Sequence, residues 1–303
     1  MLEVKNLNKS FGEKQVLKNV SFAAQRGKAF GFLGRNGAGK TTTIRIIMDI
    51  FKGDSGEVLI DGVKNTKTPL RFGYLPEERG LYPKINILEQ MVYFGELRGL
   101  SGKEAKIRSL ALLKKLEAED YAKQQLSTLS KGNQQKIQLA IAILNDPDIV
   151  ILDEPFSGLD PINAQILKRT VLELVSADKI VLFSSHQMST VEEFCDSIAI
   201  INRSEIVLSG DLDEIKKQYP KDKILISAES GDHDTLLKNL QNSPAKDLLL
   251  SASSEKNGLT VQLKNESEKN NLLSYIINSG TQIDKFFVME PTLEQIFVEK
   301  AGE

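Results

Sequence analysis

A glycine-rich segment that carries one lysine and three threonines has the clearest chemical purpose in the sequence. In GFLGRNGAGKTTT, four residues separate Gly34 from Gly39, and Lys40 and Thr41 follow directly. Glycines let backbone N–H groups curl around a phosphate chain because no Cβ atom obstructs the approach. Lys40 then supplies charge to the terminal phosphates, and the Thr41 hydroxyl is a ligand for Mg²⁺. The spacing predicts a phosphate-binding loop, with a chance glycine-rich turn as the alternative.

Two carboxylates and a histidine are the groups that would complete this chemistry. Asp153 and Glu154 end the apolar run of DIVILDEP, and His186 follows that of IVLFSSH. We predict that Asp153 holds Mg²⁺ through water and that Glu154 polarises the water that attacks the γ-phosphate. His186 is predicted to hydrogen-bond that phosphate and that water. Taken alone, the acids are more typical of a solvated turn and the histidine of an ordinary residue, but the phosphate loop and the strand-end positions favour catalysis.

Short apolar runs that alternate with helical patterns must position these groups. The phosphate loop lies between an apolar strand end and a helix, and apolar runs return at DIVILDEP, KIVLFSSH and SIAIINRSEIVLSG. From about residue 87 to residue 144, apolar residues recur at the i, i+3, i+4 spacing of helices. Strands alternating with helices predict an α/β fold with a mainly parallel, helix-covered sheet and an inserted helical subdomain at about 77–146.

Composition narrows the classes of function. The chain has 303 residues, a formal net charge of −2 and an apolar fraction of 41%. These values are typical of a folded protein and predict no nucleic-acid partner. Cys195 is the only cysteine, so no intrachain disulfide forms. Because no segment has the roughly 18 uninterrupted apolar residues of a membrane helix, or the apolar core of a signal peptide, we expect a cytoplasmic chain without a direct membrane span.

The segment LSKGNQQK, which precedes the acidic pair, makes the pattern specific. It resembles the signature motif of the ATP-binding cassette (ABC) ATPases, and nearly all of residues 1–215 carry that family's motifs in its order. The resemblance implies a P-loop NTPase core with N-terminal antiparallel strands, and ATP and Mg²⁺ as cofactors. It also implies the residues around ATP: Phe11 stacked on adenine with Val16 beside it, the loop residues Gly34, Asn36, Gly37, Ala38, Gly39, Lys40, Thr41 and Thr42, the signature residues Ser130, Gly132 and Asn133, and Asp160 of the SGLD segment.

In that family the signature turn of one subunit caps the γ-phosphate held by the phosphate loop of another. Ser130 and the Gly132 N–H, at a helix N-terminus, form an anion site that fits this role. One cassette therefore needs a partner, either a second copy or a related ABC ATPase, with Asp160 at the seam. Lys131 replaces the commoner glycine of the signature, and Glu77 replaces the glutamine expected in GYLPEERGLYP. A carboxylate at position 77 remains a ligand for Mg²⁺.

A second unit is predicted after SGDLDEIKKQYPKD, where Pro220 and the surrounding charges indicate a boundary. We predict an ABC nucleotide-binding domain at 1–220 and a small ferredoxin-like α+β accessory domain at 221–303. The elements predicted for the second domain are a strand at 223–228, a helix at 233–242, strands at 247–253 and 258–264, a helix at 268–278, a strand at 281–289 and a helix at 292–301.

The segments GYLPEERGLYP and MEPTLEQIFVEK are similar to those of ATPase subunits of small bacterial ABC exporters of the sodium-extrusion and drug- or bacteriocin-resistance type. The resemblance implies an ATP-hydrolysing subunit, peripheral on the inner face of the cell membrane, that drives export through a separate integral-membrane permease. Tyr74, Tyr82 and the apolar face of 85–97 are expected to line the groove for the permease, with packing inside the helical subdomain as the alternative. Two other functions stay open, a soluble ABC ATPase acting on ribosomes or DNA and a weakly hydrolysing ATP sensor.

Overall fold

The computed structural model describes residues 1–78, 80–229 and 231–302. The contacts among these residues divide the chain into two units. Unit 1 comprises residues 1–212 together with the chain from residue 297 onward, and unit 2 comprises residues 213–296. The domain boundary predicted at 220 stays a prediction.

The elements are numbered in chain order. The strands are β1 (Leu2–Phe11), β2 (Lys14–Ala24), β3 (Ala29–Leu33), β4 (Ser55–Ile60), β5 (Val63–Lys64), β6 (Phe72–Leu75), β7 (Ile149–Asp153), β8 (Ile180–Ser185), β9 (Ser197–Asn202), β10 (Glu205–Asp211), β11 (Lys223–Ala228), β12 (Leu249–Glu255), β13 (Gly258–Leu263) and β14 (Ile283–Met289). The α-helices are α1 (Lys40–Ile47), α2 (Ile87–Leu97), α3 (Gly102–Lys115), α4 (Lys131–Ile143), α5 (Pro161–Ser176), α6 (Met188–Phe194), α7 (Leu212–Lys217), α8 (His233–Gln241), α9 (Lys269–Asn278) and α10 (Leu293–Gly302).

Two sheets of unit 1 share one apolar core. The antiparallel sheet has the strand order β2-β1-β4-β5, and the larger sheet has the order β10-β9-β3-β8-β7-β6. In the larger sheet β9, β3, β8, β7 and β6 run parallel, whereas β10 is antiparallel to β9. Side chains of both sheets and of α1 meet in the core, among them Leu2, Phe22, Phe30, Ile44 and Ile151. The predicted mainly parallel sheet with N-terminal antiparallel strands is confirmed.

Three central strands of the larger sheet end where the chemically active residues lie. Every residue of β3, β7 and β8 is buried, as expected of parallel strands covered on both faces. Strand β8 lies between the other two, with Ser185 opposite Leu33 and Ser184 opposite Asp153. The carboxyl ends of these strands therefore bring the phosphate loop, the acidic pair and the His186 loop to one edge of the sheet.

The inserted helical segment consists of α2, α3 and α4, which pack on one another. Asn86, Ser101 and Ser130 precede the three helices, and each accepts a hydrogen bond from a backbone N–H of the first turn. Such caps satisfy donors that the helix itself leaves unpaired. In α4 every residue from Gln135 to Ile143 is buried, including the polar Gln135, Lys136 and Gln138.

Close packing between α4 and β6 depends on Gly73. A Cβ atom built at this position lies 2.5 Å from the backbone oxygen of Ala142 and 2.7 Å from Cγ of Pro147. We expect Gly73→Ala to lower the free energy of unfolding by about 1–3 kcal/mol, because backbone must move to relieve the overlap. Chemical denaturation measures this. Gly80→Ala is the control, since a Cβ atom there meets nothing within 4 Å, and equal stability of the two variants would contradict the prediction.

Unit 2 is built on one antiparallel sheet. Its strand order is β12-β13-β11-β14, and α8 and α9 contribute Leu236 and Leu272 to a core that also contains Ile224 and Val261. The predicted strands and helices are present within two residues of their expected bounds. The order strand–helix–strand–strand–helix–strand is that of a split βαβ sandwich, and the predicted small α+β domain is confirmed as a fold class.

Candidate active site

The loop between β3 and α1 adopts a conformation that depends on glycine. Gly37 has φ of 80° and Gly39 has φ of 116°, both in the region that side-chain-bearing residues rarely adopt. A Cβ atom at Gly39 would lie 2.8 Å from the backbone oxygen of Val16 and 2.7 Å from Cδ2 of Leu17. The glycines thus let the loop curve beside β2 and lead directly into α1, whose N-terminus has the partial positive charge of the helix dipole.

Lys40 is the first residue of α1 and points back over the loop. It is only 7% exposed, and Nζ donates a hydrogen bond of 2.7 Å to the backbone oxygen of Gly34. Its Nζ also lies 3.8 Å from Oε1 of Glu154. A buried ammonium group is therefore held in the curve of the loop, within reach of the acidic pair.

Thr41 and Asp153 face each other across the sheet edge. The Thr41 Oγ1 atom lies 3.4 Å from Oδ2 of Asp153, and the Ser184 hydroxyl hydrogen-bonds the other carboxylate oxygen. Hydroxyl and carboxylate oxygens are ligands that Mg²⁺ accepts together with substrate phosphates. The described residues include no cluster of three histidine, cysteine or acidic side chains suited to a metal ion.

Glu154 is buried and held in an unusual backbone conformation. Its φ is 51°, and its N–H donates to the backbone oxygen of Ser184. Nδ1 of His186 lies 2.9 Å from Oε1 of Glu154, yet this oxygen accepts no hydrogen bond of good geometry. A buried carboxylate oxygen without a hydrogen bond is costly, so Oε1 is suited to accept one from a water molecule. The His186 side chain is 44% exposed beside it.

A cavity of about 230 Å³ lies over the loop. It is lined by Val16, Asn36, Gly37, Gly39, Lys40, Thr41, Thr42 and Glu77. Val16 and Glu77 thus line the same cavity as the phosphate loop, and their predicted roles beside adenine and as a Mg²⁺ ligand stay predictions. Residue 79 lies outside the described residues. Ala38 packs into the core of unit 1. Phe11 does not line this cavity. Its ring is half exposed and meets the ring of Phe51 edge to face, with 6.0 Å between the ring centroids. Its stacking on adenine stays a prediction.

Tyr74 lies near this edge of the sheet, close to Asp153. The side chain packs against the core of unit 1. Burial and the carboxylate of Asp153 together raise the pKa of Tyr74 to about 12. The phenol is therefore neutral at ordinary pH, and it interacts with a carboxylate whose other contacts are Thr41 and Ser184. The expectation that Tyr74 lines a permease groove stays a prediction, and the structure shows this side chain partly buried against the core.

A second group of predicted residues lies at the start of α4 and α5. Ser130 caps α4 and Asp160 caps α5, where it accepts a 2.9 Å hydrogen bond from the N–H of Asn163. Hydrogen bonds from the Asn163 backbone and side chain lower the pKa of Asp160. A Cβ atom at Gly132 would lie 2.7 Å from Nδ2 of Asn163. We call Ser130, Gly132 and Asp160 the signature cluster. None of the three lines the cavity over the phosphate loop.

The side chain of Asn133 turns toward the helical segment. Its Nδ2 atom donates a 3.0 Å hydrogen bond to the hydroxyl of Tyr121. This contact orients the signature turn relative to the chain that precedes it. The predicted contact of Asn133 with nucleotide stays a prediction.

Comparison with known proteins identifies the family. A family described as ABC transporter matches residues 17–157, and one described as the C-terminal domain of DrrA1-3-like ATP-binding proteins matches residues 210–301. The uncharacterized ABC transporter ATP-binding protein YhaQ of Bacillus subtilis is 37% identical over this whole chain and 99% of its own length. The chain belongs to the ATP-binding proteins of ABC transporters. It is an ABC transporter ATPase, and the predicted family and enzyme class are confirmed.

Further relatives of this ABC ATPase agree in sequence and fold. The linearmycin resistance ATP-binding protein LnrL of Bacillus subtilis is 30% identical over the whole chain and 98% of its own length. A solved ATP-binding subunit of an ABC transporter superposes with a TM-score of 0.66 at 33% identity, covering 72% of this chain and 92% of that one. A dimeric bacterial ABC transporter cassette gives a TM-score of 0.64 at 28% identity, covering 70% and 99%.

Two residues near the ABC ATPase site, Ser184 and Asn163, were not among those predicted from the sequence. Ser184 bonds Asp153 because β7 and β8 are neighbours with these residues in register. The two serines that directly precede His186 were the sequence feature that could have indicated a role for Ser184. Asn163 joins Gly132 and Asp160, and nothing in its sequence context pointed to that role. None of the helices in the described ranges is long and apolar enough to cross a bilayer.

Proposed function

We propose that this ABC ATPase is the energy-coupling subunit of a bacterial exporter. Two copies, or one copy and a related ABC ATPase, close on bound ATP, and hydrolysis lets them separate. The motion passes to a separate integral-membrane permease, so the ATPase is peripheral on the cytoplasmic face of the membrane. Similarity over the whole chain to a linearmycin resistance ATP-binding protein supports export.

Each group at the sheet edge has a part in the proposed hydrolysis. The loop N–H groups and Lys40 bind the phosphates. Thr41, Asp153 through a water molecule and Glu77 would hold Mg²⁺, which would supply positive charge beside the phosphates. Glu154 accepts a hydrogen bond from the attacking water, and His186 bonds that water and the γ-phosphate.

One observation carries the proposal of paired subunits. The phosphate loop, the acidic pair and His186 meet at one edge of the sheet, whereas Ser130, Gly132 and Asp160 belong to the separate signature cluster. The signature cluster has the N–H groups of a helix start, which favour an anion. A second copy with its phosphate loop opposite this cluster would supply that anion as the γ-phosphate, giving two composite sites for each pair.

An exposed aromatic patch on the helical segment is the proposed contact for the permease. The ring of Tyr82 stacks on that of Phe94 at 6.1 Å, and the ring of Tyr93 meets Phe94 edge-on at 5.7 Å. Tyr82 and Tyr93 are each about half exposed, and Leu97 is 63% exposed. Clustered exposed apolar side chains mark interaction surfaces, and aromatic residues are frequent anchors in them.

The patch provides the test of this function. We expect the tagged protein to recover from source-cell membranes a protein with about six apolar 20-residue segments. The double variant Tyr82→Ser, Tyr93→Ser should recover about tenfold less of it, because interface aromatics commonly contribute most of the binding energy. The ATPase rate of the isolated variant should stay at the wild-type value.

Ile277→Ser in α9 is the control, since Ile277 is also more than half exposed but lies in unit 2. Equal recovery by the aromatic double variant would remove the patch from the proposal. Sedimentation of the wild-type protein with ribosomes, without recovery of a membrane protein, would contradict the exporter function.

A further inference from the structure

We propose that Asn163 is a positioning residue that holds the signature turn and Asp160 in one fixed geometry. This inference rests on the proposed function, because it concerns the half of the ATP site that one subunit offers to another. It adds a residue that lies outside the phosphate loop, the acidic pair and the signature turn. Its basis is the set of contacts that Asn163 makes with both parts of the signature cluster.

The first contact joins Asn163 to Asp160. The Asn163 N–H donates to Oδ1 of Asp160 at 2.9 Å, and Nδ2 donates to Oδ2 at 2.5 Å. Both oxygens of the carboxylate are therefore engaged by one residue, which fixes the rotation of the Asp160 side chain. Hydrogen bonds to a charged acceptor are stronger than those between neutral groups.

The second contact joins Asn163 to the signature turn. A Cβ atom built on Gly132 lies 2.7 Å from Nδ2 and 3.1 Å from Cγ of Asn163. The amide thus lies close against Gly132, where a side chain would require the Asn163 side chain to shift. Helices α4 and α5 pack on each other behind this contact, so the amide fills the space between their N-termini.

Together these contacts connect two groups that the proposed function presents to a partner's ATP. Ser130 and the Gly132 N–H begin α4, and Asp160 begins α5. If the amide of Asn163 is removed, either helix start can shift without the other, and the two no longer meet the partner in one arrangement. Restoring the arrangement of the two helix starts when the dimer closes costs free energy, so the closed dimer has a higher dissociation constant.

ATP-induced dimerisation measures this cost. The background is Glu154→Gln, which is expected to hold ATP without hydrolysing it, and analytical ultracentrifugation with Mg-ATP gives the dimer dissociation constant. Adding Asn163→Ala should raise that constant about tenfold, as expected for the loss of a hydrogen bond to a charged group. The affinity of the monomer for a fluorescent ATP analogue should be unchanged, since the phosphate loop does not contact Asn163.

Gln165→Ala is the matched control, since Gln165 is an exposed residue on the same helix, and it should dimerise like the background. If the background dimerises and Asn163→Ala dimerises equally well, the positioning role is overturned while the proposed function stands. If the background itself forms no dimer with ATP, the proposed paired site fails and this inference fails with it.

A double-mutant cycle separates positioning from general damage to the fold. Gly132→Ala should weaken dimerisation strongly beside Asn163, because its Cβ overlaps the amide. Beside Asn163→Ala the same substitution should cost less, since the overlapping nitrogen is gone. Contacting residues show such non-additive effects, whereas independent ones do not. Strictly additive effects of the two substitutions would overturn the inference.

Discussion

Glu154→Gln lowers the rate of ATP hydrolysis at saturating ATP by about 100-fold or more, the size of effect expected when a general base is lost. Glutamine has nearly the same shape, so the turn at φ of 51° and the hydrogen bond from the N–H to Ser184 are retained. What changes is Oε1, a buried carboxylate oxygen that accepts no good hydrogen bond in the protein. The neutral amide is a weaker acceptor for the attacking water.

Phosphate release under steady-state conditions measures this rate, and equilibrium binding of ATP to the variant should be close to wild type. Glu13→Gln, at an exposed turn residue between β1 and β2, is the control and should hydrolyse ATP normally. An unchanged rate in Glu154→Gln would assign the activation of water to another group. The next candidate would be His186, whose Nδ1 lies 2.9 Å from Oε1 of Glu154.

Lys40→Ala weakens ATP binding by about 10–100-fold and leaves almost no hydrolysis. A hydrogen bond to a charged group contributes roughly 1.5–3 kcal/mol, which corresponds to that range of affinity. The effect should be large because Lys40 is buried and already directed into the loop by the backbone oxygen of Gly34. No alternative ammonium group lines the cavity among the described residues.

Binding of ATP by calorimetry measures the loss, with Lys123→Ala as the control at an exposed loop position. The variant's thermal unfolding temperature without nucleotide should be recorded beside it, since the substitution removes the ammonium group that lies 3.8 Å from the buried Glu154. Near-normal ATP affinity in a folded Lys40→Ala protein would contradict the assignment of the loop as the phosphate site.

The sequence by itself determined the features that depend on residues close together in the chain. The strand-helix junction at Lys40 and the helix start at Ser130 are local, and the structure has both as predicted. The order of elements in unit 2 followed in the same way from turn signals and apolar periodicity. Family membership followed from the order of the motifs.

Only the tertiary structure decided contacts between residues that are distant in the chain. Thr41 meets Asp153 across a separation of 112 residues, and Ser184 meets Asp153 because β7 and β8 pair with these two residues in register. The apolar spacing of α2 could not tell core from surface, since one helical stripe serves either purpose. Packing buried Met91 and left Leu97 exposed on the same helix.

Tyr74 and Asn163 show most directly why contacts between distant residues depend on the tertiary structure. The sequence left Tyr74 open between a permease groove and core packing, and the pairing of β6 with β7 places it near Asp153. Asn163 carries no local signal, and it reaches Gly132 only because α4 and α5 pack with their N-termini adjacent. Side-chain partners across elements are set by the register of strands and the packing of helices, which are properties of the whole fold.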